Sequence, residues 1–246
     1  VLFPSMESMK ISHMDNVEKI WVDELALNAF SKLKTLIVEY CERLPFIFSS
    51  QSILARFQNL EKLFVIGCGS LEMVFQVQEF NFSETYSTST FQLRELVLKK
   101  LPKIKHVWSG LPQGAFTLGQ LQSMEVIECE SLQSLFSSSV AKSMTQLEKL
   151  VVKSCRVEEI IVEEDGGVGT SVGDLFFPRL TNLALYDLPQ LRGFHRNSHP
   201  STWPLLKELR VLHCGKIRSF SFASIIQNWQ GTTVNGSQPA LFSIEK

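Results

Sequence analysis

Residues 33–47 read L-K-T-L-I-V-E-Y-C-E-R-L-P-F-I, and residues 60–74 read L-E-K-L-F-V-I-G-C-G-S-L-E-M-V. Apolar residues stand at Leu33, Leu36, Val38, Cys41, Leu44 and Ile47, and at the same spacing at Leu60, Leu63, Val65, Cys68, Leu71 and Val74. The frame returns at Leu93, Leu121, Leu180 and Leu206, and at Leu147 with one residue fewer after Cys155. A first copy opens at Met6. The first anchors are therefore residues 6, 33, 60, 93, 121, 147, 180 and 206. Six apolar positions held through eight copies mark an internal repeat, and self-similarity at such a period outranks any domain count taken from length.

Repeats of roughly 20–29 residues with this leucine pattern are leucine-rich repeats. Inside L-x-x-L-x-V the apolar residues alternate, which is the period of a strand with one face buried. Leu63 and Val65 point inward, and Lys62, Phe64 and Ile66 outward. Parallel strands need crossover connections, and the rest of each repeat supplies one. A lone repeat cannot bury its apolar face, whereas stacked repeats share a continuous core. The expected fold is an α/β leucine-rich-repeat solenoid, a curved horseshoe. A parallel sheet lines its concave face, and irregular turns and short helices form its convex side. The expected organisation is one domain over residues 1–246 with about eight repeats. Residues 222–246 are read as a flexible tail leading into a truncated ninth repeat, Ala240 to Lys246 being a lead-in whose repeat never arrives.

The connections are uneven. Gln51–Gln58 and Ser139–Gln146 carry helical spacing with serine nearby as an N-cap. Leu101-Pro102, Leu111-Pro112 and Leu188-Pro189 interrupt any helix, because proline lacks the amide hydrogen. Two excursions lengthen the period: Glu79–Thr90, rich in Ser and Thr, and Glu163–Asp174, with four glycines. A third polar stretch spans Asn228–Pro239.

With 24 basic and 25 acidic residues the net charge is −1, which supplies no field to draw in nucleic acid or an anionic membrane surface. No apolar run reaches the roughly 18 residues of a membrane span. All five cysteines (Cys41, Cys68, Cys129, Cys155 and Cys214) stand eight residues after a first anchor. That slot lies inside the solenoid, where a free thiol behaves as a small hydrophobe. The expectation is a column of reduced thiols, with no disulfide, no zinc and an intracellular, cytoplasmic setting.

No catalytic, cofactor or metal residue emerges, and the chain reads as a non-enzyme. His195 and His199 are four apart but read as surface loop histidines. Gly166-Gly167-Val168-Gly169 lacks the Lys-Ser/Thr of a phosphate loop and follows acidic residues. Glu158, Glu159, Glu163, Glu164 and Asp165 read as a solvated edge. Asn81 and Asn235 open glycosylation sequons that a cytosolic chain leaves unused.

The outward strand positions carry the functional signal. Solvated positions are ordinarily polar, yet Ile37, Phe64, Ile66, Val97, Ile127, Val151 and Tyr186 fall on the concave face. Lys99, Lys153 and Arg210 lie around them. A contiguous apolar patch points to a protein-binding or intramolecular docking face. Against this stands the plain preference of β-branched and aromatic residues for strands.

Several motifs together resemble the C-terminal leucine-rich repeats of plant intracellular nucleotide-binding disease-resistance receptors of the coiled-coil class. An aromatic-x-x-Leu entry recurs at Phe30–Leu33 and Phe57–Leu60, with proline added at Phe177–Leu180 and Trp203–Leu206. Cysteine turns occur at Cys41–Leu44 and Cys129–Leu132. A leucine-proline variant occupies Leu185–Leu191 and Leu98–Trp108. The resemblance implies a role in innate immunity: recognition of a pathogen effector or a guarded host protein, and packing against the receptor's nucleotide-binding module to hold it off. No Walker-type Gly-Lys-Ser/Thr occurs, and the chain opens inside a repeat lead-in, so it reads as a fragment or as a truncated product. The alternative is a substrate-recruiting leucine-rich-repeat adaptor of an F-box ubiquitin ligase, whose repeats also favour cysteine at this slot but are more regular.

Overall fold

The computed structural model describes residues 3–21, 26, 29–76, 91–109, 118–163, 176–195, 203–217 and 241–245. In chain order the first strands are β1 (Ser8–Ser12), β2 (Thr35–Glu39), β3 (Phe46–Phe48), β4 (Lys62–Ile66) and β5 (Met73–Gln76). Next come β6 (Glu95–Lys99), β7 (His106–Ser109), β8 (Ser123–Ile127), β9 (Ser134–Ser137) and β10 (Lys149–Lys153). The last are β11 (Glu159–Val162), β12 (Asn182–Tyr186), β13 (Gly193–His195), β14 (Glu208–Leu212) and β15 (Leu241–Glu245). Two short helices, α1 (Gln51–Leu54) and α2 (Ser138–Ser143), lie in connections.

The concave layer is one parallel sheet in the order β1-β2-β4-β6-β8-β10-β12-β14-β15. Register follows the sequence frame: Leu36 stands beside Leu63, Leu63 beside Leu96, and Leu96 beside Met124. Alternation does the sorting. In β4, Leu63 and Val65 are fully buried and Phe64 and Ile66 are half-buried. Residues 241–245 are where the sequence reading needs correction. They form a ninth strand, paired from Glu208↔Leu241 to Leu212↔Glu245. The unpaired edge of β14 offers backbone donors and acceptors, and an apolar alternating segment satisfies them.

The turn leaving each concave strand is left-handed. His13, Tyr40, Gly67, Lys100, Glu128, Ser154, Asp187 and His213, each seven residues after an anchor, all have φ between 51° and 66°. That conformation costs an L-residue about 1 kcal/mol. From His13 to Asp187 it is held because the amide donates to the neighbouring repeat: Tyr40 N–H to the Ile66 carbonyl at 2.8 Å, and Glu128 N–H to the Lys153 carbonyl at 2.9 Å. The next residue is then directed inward, and in five copies it is cysteine.

The convex side holds α1, α2 and turns, and also two three-stranded parallel sheets, β3-β5-β7 and β9-β11-β13. Ser137 caps α2 by accepting from Val140 N–H, and Ser50 accepts from Ile53 N–H in α1. Rings stack along this side: Phe48 on Phe75 at 5.4 Å, Phe75 on Trp108 at 5.6 Å, and Trp108 on Phe136 at 6.2 Å. The core is a single run of buried residues, with Met6, Met9, Ile11, Val17 and Ile20 of the first repeat only partly covered. The excursion at Glu79–Thr90, residues 164–174, Leu111-Pro112 and Asn228–Pro239 lie outside the described residues.

Candidate functional site

Every concave residue singled out from the sequence lies on a described strand. Ile37 is on β2, Phe64 and Ile66 on β4, Val97 and Lys99 on β6, and Ile127 on β8. Val151 and Lys153 are on β10, Tyr186 on β12 and Arg210 on β14. Parallel register then decides which of them meet. Ile37, Phe64 and Val97 stand side by side on three consecutive strands, and Ile66 lies on the same face two residues beyond Phe64. Glu125 separates Val97 from Val151, so the apolar patch is concentrated on β2, β4 and β6. Ile127 lies between Lys99 and Lys153.

Cross-strand ion pairs frame the patch. Lys10 Nζ is 2.8 Å from Glu39, Lys62 Nζ 3.0 Å from Glu95, and Lys149 Nζ 2.6 Å from Glu125. Arg210 pairs with Glu208, and its guanidinium donates to the Tyr186 hydroxyl at 3.5 Å. These pairs are solvent-facing, so each contributes at most about 1 kcal/mol. Their larger effect is to neutralise the face locally.

The sequence reading missed the rim of this face. Tyr40 is 40% exposed although it is one of only three tyrosines, and Met14 is 48% exposed. The His13 and Tyr40 rings stack at 5.0 Å. Tyr40 lies across Gly67, where a Cβ would come within 2.6 Å of its ring. Gly67 alone among the eight left-handed turn residues is glycine. That lone glycine is the sequence signal that was available for the rim.

The five thiols are buried and unpaired. Sγ of Cys155 lies 3.2 Å from the Lys153 carbonyl, and Sγ of Cys214 lies 3.5 Å from that of Leu212. Cys129 N–H donates to Cys155 Sγ at 3.4 Å. Burial raises the Cys68 thiol from 9.0 to about 11 and also pushes Cys41 and Cys214 up. The neighbouring Cys155 thiol, with burial, pushes Cys129 up. Thiols held protonated are poor nucleophiles and poor metal ligands.

His195 differs from its sequence reading as a surface loop histidine. It ends β13, its side chain is 7% exposed, and Nε2 lies 2.8 Å from Glu163 with the ring against Phe176. Strand pairing with Ile161 turns the ring inward. His199, Glu164, Asp165, Gly166–Gly169 and both sequon asparagines lie outside the described residues. Glu158 pairs with Arg192 at 3.2 Å. Among the described residues no cluster of three or more His, Cys, Asp or Glu has metal-site geometry, and no helix is long and apolar enough to cross a membrane. A cavity of about 240 Å³ opens on the convex side between β7 and β9, lined by His106, Trp108, Ser134, Ser137 and Val140 among others.

Residues 5–156 match the family model of plant disease resistance protein RPS2-like leucine-rich repeats. No curated protein matches the chain in sequence. Among solved structures, the leucine-rich repeat domain of the type III effector XCV3220 (XopL) aligns over 98% of this chain and 69% of its own, with a TM-score of 0.65 and 16% identity. At that identity the likeness shows the solenoid fold and nothing of function.

Proposed function

Because this chain belongs to the RPS2-like leucine-rich-repeat family of plant disease resistance proteins, we propose that it is the recognition and regulatory module of a plant innate immune receptor. It binds a protein, either a pathogen effector or a guarded host protein, through the concave face. It also docks on the receptor's own nucleotide-binding module, which holds the receptor off until a ligand competes. The setting is intracellular, which the column of reduced thiols favours.

The observation that carries this reading is the side-by-side placement of Ile37, Phe64 and Val97, with Ile66 next to Phe64, on a face framed by ion pairs. Half-buried apolar side chains grouped on adjacent strands lose little on desolvation and gain on contact, as in the centre of a protein interface. The test is affinity capture from plant tissue with the wild-type chain and with a Phe64→Ala/Tyr186→Ala variant of unchanged melting temperature. The expected outcome is loss of at least one specific partner. Identical partner sets at identical affinity overturn the reading. Sequencing upstream of the first codon separates the alternatives: a nucleotide-binding module supports the receptor, and an F-box reverses the assignment to a ubiquitin-ligase adaptor.

A further inference from the structure

On the concave strands from β1 to β14 the outward positions carry six cations, Lys10, Lys62, Lys99, Lys149, Lys153 and Arg210. They carry four carboxylates, Glu39, Glu95, Glu125 and Glu208, and each is engaged by a cation of the same face. Lys99 and Lys153 are left over: among the described residues neither has an ion-pair partner. From β1 to β14 the face of this chain of net charge −1 thus carries two more cations than carboxylates, and the two without partners are Lys99 and Lys153.

Their placement is specific. Lys99 and Lys153 hold the same register position on either side of Ile127. Strands about 4.8 Å apart put their Cα atoms roughly 9.6 Å from one another. Val97 and Val151 lie on the same two strands, two residues nearer the strand starts. Glu125, below Ile127, is taken by Lys149. Beyond the strand ends are the rim residues Lys100, Glu128 and Ser154, and Glu128 is within ion-pair distance of neither lysine.

We propose that Lys99 and Lys153 form a two-pronged site for an extended acidic segment of a separate protein, with Ile127 as the apolar floor between the prongs. The inference rests on the concave face being the binding face. The complementary chemistry follows from the spacing. A segment crossing the strands in polyproline II conformation repeats every three residues, about 9.3 Å. Residues i and i+3 then face the sheet together, one carboxylate to each lysine. An apolar side chain at i+1 or i+2 reaches Ile127, Val97 or Val151. A regular β segment does not fit, because residues three apart point to opposite sides. The free state carries two like charges whose carboxylate partners are spent elsewhere, so an acidic ligand desolvates no existing ion pair. Such charges act mainly on partner choice and association rate.

The test is panning a phage-displayed library of random 12-residue peptides against the 246-residue chain at low salt, with sequencing of the enriched pool. The expected result is enrichment of Asp or Glu at i and i+3 with an apolar residue between. Affinity of a synthetic enriched peptide should fall about tenfold in Lys99→Glu/Lys153→Glu, and fall with rising salt as screening sets in. It should hold in Lys34→Glu/Lys105→Glu, which changes net charge equally at exposed residues off the concave face. Enriched peptides without acidic bias that are lost on Phe64→Ala overturn this proposal and leave the concave binding face standing. Peptides indifferent to both the Phe64 and the lysine substitutions overturn both, and an unenriched library overturns the proposal.

Discussion

The two layers of this solenoid use the same strand chemistry with opposite results. The concave sheet runs unbroken through nine strands. The convex layer stops between β7 and β9, and continues as a second three-stranded sheet. A curved stack cannot hold the roughly 4.8 Å strand spacing on both sides at once. The convex side is the longer path, and its stacked rings stand 5.4 to 6.3 Å apart. At the break the Trp108 indole N–H donates to the Leu135 carbonyl at 3.2 Å, so a side chain bridges where a ladder bond is missing. One hydrogen-bonded ladder therefore runs through the concave layer, whereas the convex layer combines two short ladders with a column of stacked rings. The outward side chains of the concave strands are left half-buried or exposed.

The largest expected effect probes that division directly. Phe75 is fully buried among Phe48, Phe91 and Trp108, and Phe75→Ala should cost about 3–5 kcal/mol in chemical denaturation. Phe64→Ala on the concave face should cost about 1 kcal/mol or less. Equal losses at the two phenylalanines would show that the concave ring is core and would dissolve the contrast. Trp108→Phe keeps an aromatic ring in the stack but deletes the N–H to Leu135 along with one ring of the indole, so a loss of at least about 1 kcal/mol is expected; no loss would mean that the bridge across the break is incidental. Gly67→Ala should cost about 1 kcal/mol through its left-handed φ of 66°, and should displace Tyr40, which near-ultraviolet circular dichroism would register.

A further effect is expected in pH. The folded chain keeps the Cys68 proton up to about 11, whereas the unfolded thiol releases it near 9.0. Stability from this group is full below pH 9.0 and is lost as pH rises toward 11. Melting temperature should decline across that window, and Cys68→Ala should flatten part of the decline. An unchanged slope would remove burial of Cys68 as a cause. At pH 8 iodoacetamide should leave all five cysteines unmodified until denaturant is added.

The interior was legible because its cause is local. Leucine, valine and cysteine at a fixed spacing have one arrangement that removes all of them from water, so Leu63, Val65 and Cys68 are assigned inward from the frame alone. The outward residues followed by alternation. The short convex strands were not legible: Phe46–Phe48 and Ser134–Ser137 carry too few residues for a period, and their pairing depends on neighbours 25 or more residues away. His195 was misplaced for the same reason, since only pairing with Ile161 turns its ring toward Phe176 and Glu163.

By itself the sequence determined the repeat, the buried face and the roster of outward side chains, because burial needs only a periodic pattern along one chain. Tertiary structure alone decided which outward residues meet. Lateral register places Phe64 beside Ile37 and Val97, engages three carboxylates with three cations of neighbouring strands, and leaves Lys99 and Lys153 on either side of Ile127. The physical reason is range. Alternation is a property of neighbours two residues apart, whereas charge pairing across strands joins residues brought together only when separate repeats stack.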